Sequence, residues 1–275
     1  MSMMRNAMRI LLAASAAAAV MPSLAAAADA ARHEYPSCVV LVSNMGGDLY
    51  QTLEARFQKG LQSNPVKVDN LEAPLITPIT VNDGEKKWAG VSVSAGYIGL
   101  INRLAHAKAI DEIKPGYFNK YALYLAAEGG GGTAAEAPSM ADSRYWTDEM
   151  MNRQASLFNG MIGMTVALSL SHHYLGRYNQ YVGEMPANKP VPINNILLAS
   201  AWEYDVRAAA LNCLTDGLPV EGARALFDAI DKMPTRPPWT ALIAPPGADL
   251  KKMSKQLKVY EDQFFTGKLN LNDWK

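Results

Sequence analysis

The residues best equipped for chemistry are gathered in two short stretches. The first is Leu168-Ser169-Leu170-Ser171-His172-His173-Tyr174-Leu175-Gly176-Arg177-Tyr178, where two of the four histidines stand side by side in an apolar setting. The second is Trp202-Glu203-Tyr204-Asp205-Val206-Arg207, with two carboxylates two residues apart. Imidazole and carboxylate together form the ligand set of catalytic zinc. Such a site takes three protein ligands, leaves a position for water, and uses a further glutamate as general base. Helix geometry sets the spacing, because only residues three or four apart share a face. Four before His172 is Leu168 and four after it is Gly176; four before His173 is Ser169 and four after it is Arg177. No register gives two histidines one turn apart, and adjacent residues point about 100° apart on a helix. The other two histidines carry less: His33 lies near the N-terminus, and His106 falls in the helical stretch Leu104 to Ala109, as a surface or internally satisfied side chain.

The order of these segments resembles the gluzincin metallopeptidases, relatives of the CAAX prenyl protease and of the periplasmic outer-membrane-assembly proteases. Their zinc helix reads H-E-x-x-H with an extension such as H-Y-L-G-H, and His173-Tyr174-Leu175-Gly176 is similar to that extension. Trp88 to Ile98 (WAGVSVSAGYI) resembles the strand and turn before their first helix. Trp202 to Leu211, followed by Asp216-Gly217-Leu218-Pro219, resembles their third-ligand helix and the turn after it. The likeness runs from about Asn44 to Met233. It implies a zincin-like domain with a small sheet and a buried central helix, and zinc as the cofactor of an intact site.

This chain departs from the pattern. One alignment sets Leu168 to His172 on the motif and keeps His172; the other sets His172 to Gly176 there, with His173 in place of the base and Gly176 in place of a ligand. Neither supplies the general base. If Glu203 is the third ligand, Arg207 stands at the aspartate position; if Asp205 is the aspartate, Ala201 stands at the ligand position. The remnant ligands are then His172 and Glu203, short of the three a zinc site uses. The candidate degenerate site is His172, His173, Glu203, Asp205 and Arg177, with no catalytic residue assigned and no cofactor expected.

Three functions stay open on these residues. The first is an exported, non-catalytic, zincin-like pseudopeptidase that acts by binding in the envelope, its partner a peptide or an envelope protein. There, His172, Glu203 and Arg177 would hold a peptide carboxylate, which suits the planar fork of arginine. The second is an active metal-dependent peptidase with a non-standard zinc site. The third is a helical envelope protein with structural histidines, His172 and His173 hydrogen-bonding Glu203 or Asp205, and Glu203 pairing with Arg177 or Arg207.

Other chemistry finds little support. Ser169 and Ser171 sit beside His172 on a helix, whereas a nucleophilic serine sits on an exposed turn with an oxyanion hole. The glycine-rich Glu128 to Asp142 stretch has no Gly-Lys-Ser/Thr ending for phosphate. The formal net charge of +0 gives no footprint for nucleic acid. Cys38 and Cys213 are the only cysteines. They are compatible with one disulfide or with two buried thiols, and lack the C-x-x-C spacing of a zinc ribbon.

The N-terminus places these residues in a compartment. Arg5 and Arg9 precede an apolar run from Ile10 to Val20, then Pro22-Ser23 and small residues through Ala28. That is the order of a secretory signal peptide. We expect residues 1–27 to be the signal peptide, cleavage near Ala26 to Ala28, and a periplasmic or secreted single domain over 28–275 with 128–142 as a flexible loop. The run falls short of the roughly 20 residues of a transmembrane helix, and no such segment is expected in the mature chain.

The elements that must position the site follow from periodicity. Cys38 to Ser43 reads as a strand or the start of the folded domain, and Leu49 to Leu61 as a helix. Pro65 to Pro78 reads as irregular or edge strand, and Ile79–Val81 with Trp88–Val93 as two strands around Asn82-Asp83-Gly84. Helices are predicted from Ser94 to Pro115, then over Tyr117–Ala127, Asp148–Tyr178, Asn194–Leu214, Pro219–Ile230 and Asp249–Phe264. The class is α+β, mainly helical.

Overall fold

Two side-chain periods divide the chain, a short strand-forming part and a long helical one, and they meet at Ser94. The computed structural model describes residues 36–83, 86–130, 138–177 and 199–269. The expected signal peptide and its cut site, His33, Gly84, residues 131–137 of the glycine-rich loop and residues 194–198 of an expected helix lie outside the described residues. The chain divides into two units, Met1–Cys38 and Val39–Lys275, and the sheet, the core and the candidate site all belong to the second.

The element order is α1 (Pro36–Gln51), α2 (Ala55–Gln58), β1 (Leu61–Asp69), β2 (Ile76–Asp83), β3 (Lys86–Ser94), α3 (Ala95–Ile113), α4 (Tyr117–Gly130), α5 (Asp148–Tyr174), α6 (Ala199–Thr215), α7 (Val220–Asp231) and α8 (Leu250–Phe265). The fold is α+β and mainly helical. No helix among the described residues is long and apolar enough to cross a membrane.

The strands form a mixed sheet of order β1-β3-β2. β2 and β3 pair antiparallel from Ile76↔Val93 to Asp83↔Lys86, so the two expected strands do pair, but they run longer than expected and hold Asn82 and Asp83 within β2, opposite Lys87 and Lys86, and not in the turn. β1 runs parallel to β3, with a register shift between Leu61 and Val66. Pro65 sits in that shift on an edge strand, where a missing N–H costs least. Two expectations are corrected by the structure. Cys38 to Ser43 lies within helix α1, not in a strand. Val42, Met45 and Leu49 are buried while Val40 is exposed, a three-and-four period that overrides the β-branched composition. The helix expected over Leu49 to Leu61 stops at Gln51, and Leu61 opens β1 after Gly60 at φ 91°.

Ser94 turns the sheet into the helical half. Its hydroxyl accepts from Tyr97 N at 3.0 Å, capping α3, accepts from Leu75 N at 2.9 Å and donates to Ala73 O at 2.7 Å. Gly96 follows because any Cβ there would collide with the Glu72 carbonyl.

Helix α5 is the core. Every residue from Gly160 to His172 is buried, so the helix is covered on all sides. α3, α6, α7 and the sheet all pack on it. The crossing with α7 is close: a Cβ on Gly160 would meet the Pro219 carbonyl and one on Gly222 the Leu157 carbonyl. The hydroxyls of α5 are satisfied along its own backbone: Thr165 Oγ1 donates to Met161 O at 2.9 Å, Ser169 to Thr165 O at 2.8 Å and Ser171 to Leu168 O at 2.7 Å. Those bonds occupy both serines beside His172 as helix-packing groups.

Candidate functional site

The sequence His172-His173-Tyr174-Leu175-Gly176-Arg177 is a helix terminus before it is anything else. Gly176 takes φ 74°, its N–H bonds His173 O at 3.0 Å, and the Arg177 N–H reaches back to His172 O at 2.9 Å. This paired closure with a left-handed glycine is the Schellman C-cap. It explains the Tyr-Leu-Gly sequence without a ligand role for Gly176. It also returns the chain so that Arg177 lies beside the last turn of α5.

Around this terminus the side chains interlock. His172 Nδ1 lies 2.7 Å from Asp205 Oδ2, and both side chains are fully buried. Arg177 clasps the same carboxylate, Nη2 to Oδ1 at 2.7 Å and Nε to Oδ1 and Oδ2 at 3.0 and 3.1 Å. The bond to Asp205 raises the Arg177 pKa further above its ordinary value. His173 points another way, as adjacency on a helix requires. Its Nε2 is 2.8 Å from Gly90 O on β3. Burial holds its pKa down to about 4 against that hydrogen bond, so at neutral pH the ring is uncharged and Nε2–H donates to the carbonyl. One helix end thereby ties α5 to α6 through His172 and to the sheet through His173.

Glu203, expected as the surviving second ligand beside His172, lies elsewhere. It sits near the surface with Lys252 Nζ at 2.8 and 2.9 Å from its two oxygens. The reason is geometric. Residues 203 and 205 differ by about 200° around α6, so only one carboxylate can face α5, and it is Asp205 that is buried. Of the candidate residues, His172, Asp205 and Arg177 come together, His173 joins the sheet, and Glu203 stands apart. Arg207 lies over the Tyr260 ring at 5.8 Å from its centroid.

Zinc does not fit this arrangement. The oxygens of Asp205 are engaged by an imidazole and a guanidinium, Glu203 is on the opposite face of α6, and His173 is spent on a backbone carbonyl. Among the described residues no three His, Cys, Asp or Glu side chains are grouped to hold a metal ion. No disulfide joins Cys38 to Cys213, and burial pushes the Cys213 pKa up.

Sequence reasoning missed a third histidine environment. His106 is fully buried on α3, stacked on Trp146 with ring centroids 4.3 Å apart, and burial lowers its pKa to about 4. Gln154 lies beside it and donates from Nε2 to Asn102 Oδ1. The signal that could have found it was the apolar run on both sides of His106. The chain matches no protein-family model, no curated protein and no solved structure, so the fold and this geometry are what bear on its function.

Proposed function

We propose that this protein is exported and non-catalytic, acts by binding in the cell envelope, and uses its histidine pair as structure. The observation that carries the reading is the Asp205 carboxylate held between His172 and the Arg177 fork. A carboxylate with both oxygens engaged, one by a permanent cation, is neither a general base nor an open ligand. A histidine whose Nδ1 is fixed by it is an anchoring group. The N-terminal charge and apolar pattern supports export.

One observation favours keeping a degenerate zincin scaffold as a second reading: α5 and α6 do face each other, through His172 and Asp205. Both readings share a test. The secreted protein is purified, equilibrated with zinc, dialysed, and assayed for bound metal and for casein cleavage with and without chelator. The expected result is substoichiometric zinc and intact casein. Stoichiometric zinc that is lost on His172→Ala, with chelator-sensitive cleavage, would overturn the proposal in favour of an active peptidase. Recovery of a mature N-terminus near Ala26 to Ala28 from the periplasmic or culture fraction checks the export half.

A further inference from the structure

A separate cleft lies between α3, α4 and the segment before the short 3₁₀ turn Ser143–Trp146. Its volume is about 390 Å³, with Arg103, Tyr121, Tyr124 and Leu125 on one side and Pro138 to Met140 on the other. Small-molecule sites occupy about 300–1,000 Å³ and combine an apolar lining with few polar groups. This cleft is at the small end of that range.

Three observations make it more than a surface dent. First, its cation is uncommitted. Arg103 is half-buried and makes no ion pair or hydrogen bond among the described residues, although Arg144, Arg153 and Arg177 all clasp carboxylates. Second, the lining beside it is aromatic and apolar. Tyr121 and Tyr124 share a face of α4 one turn apart, their rings tilted with centroids 5.8 Å apart, and Leu125 and Met140 extend the surface. Third, the far wall is pinned from outside the cleft. Tyr117 Oη donates to Pro138 O at 2.9 Å and lies 3.2 Å from Ser139 O. Trp146 Nε1 donates to Met140 O at 2.6 Å while its ring rests on the buried His106, one turn along α3 from Arg103. The wall is therefore held in place before any ligand arrives, which lowers the ordering cost of binding.

We infer that this cleft binds a small organic monocarboxylate with a flat apolar body, its carboxylate on Arg103 and its body against Tyr121 and Tyr124. Guanidinium matches a carboxylate through two parallel N–H bonds, and tyrosine rings accept planar apolar groups with little side-chain entropy to lose. A half-buried arginine with no ion pair or hydrogen bond among the described residues is the group that an incoming anion would complete. The cleft stands on its own geometry, whether or not the His172 region once held zinc.

The probes are phenylacetate and its neutral counterpart phenylacetamide, titrated into the full mature protein and followed by calorimetry and by NMR. The expected result is saturable one-to-one binding of phenylacetate, about 10-fold or more tighter than the amide, since bonds to a charged group carry most of the discrimination. Arg103→Met should bring the carboxylate down to the level of the amide while the far-UV spectrum and melting temperature stay in place. Arg103→Lys should recover part of the loss, because a point charge lacks the fork. Equal affinity for acid and amide, no change on Arg103→Met, or no saturable binding at about 1 mM would each overturn the inference. A short peptide ending in a free Phe carboxylate that binds more tightly than phenylacetate would overturn the small-molecule assignment and point to a chain end. The zinc and casein assays read a different region, so either proposal can fail without the other.

Discussion

Arg177 and Arg103 are the same residue type at comparable depth, and the protein treats them in opposite ways. Arg177 closes on Asp205, which His172 holds from the other side, so the region around the end of α5 is a completed network. Arg103 faces a cleft with no acidic partner among the described residues. A buried charge that is fully answered from within the fold has its energy tied up in the fold. One that is left open at the edge of a preformed cavity is available to a ligand. The contrast separates the two roles where residue type alone misleads, because the histidine-rich terminus draws attention in sequence while Arg103 sits inconspicuously in a helix.

The largest effect should come from breaking the closed region. Asp205→Ala leaves a guanidinium and a fully buried imidazole without their shared carboxylate. Removing one partner of a buried pair typically costs about 3–5 kcal/mol. Against a total stability of about 5–15 kcal/mol, that is a large fraction. Chemical denaturation should show the midpoint moving far down with little change in slope. Arg177→Met keeps the His172–Asp205 contact and should cost less, about 2 kcal/mol. A negligible change for Asp205→Ala would break the comparison, because the network would then not be structural.

The pH response sharpens it next. His106 and His173 are both held neutral, with folded pKa values of about 4 against an ordinary value of 6.5. The unfolded chain therefore binds more protons between these limits, and stability is full above pH 6.5 and falls as pH drops toward 4. For the fully buried His106 the loss is up to about 3 kcal/mol across that window. Melting temperatures taken from pH 7 to pH 4 should fall steeply, and His106→Gln should flatten the curve. Because the His106 ring supports Trp146 and through it the Met140 wall, acidification should also weaken phenylacetate binding before the protein unfolds.

Much of the fold was legible in the sequence, and what was not has physical causes. The Ser94 transition, the Asp216-Gly217 stop and the start of α8 at Asp249 all rest on local chemistry: a capping hydroxyl, a left-handed glycine, a capping carboxylate. The failures needed tertiary information. In Cys38 to Ser43 β-branched composition spoke for a strand, and only the burial of Val42, Met45 and Leu49 on one face decides for a helix. At the site, Glu203 and Asp205 are chemically alike and two residues apart. Which of them meets His172 depends on how α6 is turned toward α5, and no property of either residue reports that. Arg103 was illegible for a similar reason, since the cleft exists only once residues 138–140 are pinned against α3 and α4.

The smallest expected effects fall on the two charges outside the closed network, and they test the contrast from its other side. Glu203 pairs with Lys252 at the surface, where Coulomb attraction is screened and side-chain ordering offsets it. Glu203→Gln should leave the melting temperature within error of the parent, with no dependence on salt beyond that of the parent protein. Arg103→Met should change stability by no more than about 0.5 kcal/mol, as expected where no ion pair or hydrogen bond among the described residues is lost, while removing carboxylate binding. The decisive pairing is Arg103→Met against Arg177→Met in the same thermal and binding assays. Arg177→Met should lower stability and leave phenylacetate affinity unchanged under conditions where the protein is folded; Arg103→Met should do the reverse. A stability loss as large for Arg103 as for Arg177 would mean that Arg103 has an internal role after all, and the distinction between a closed charge and an open one would no longer explain where this protein binds.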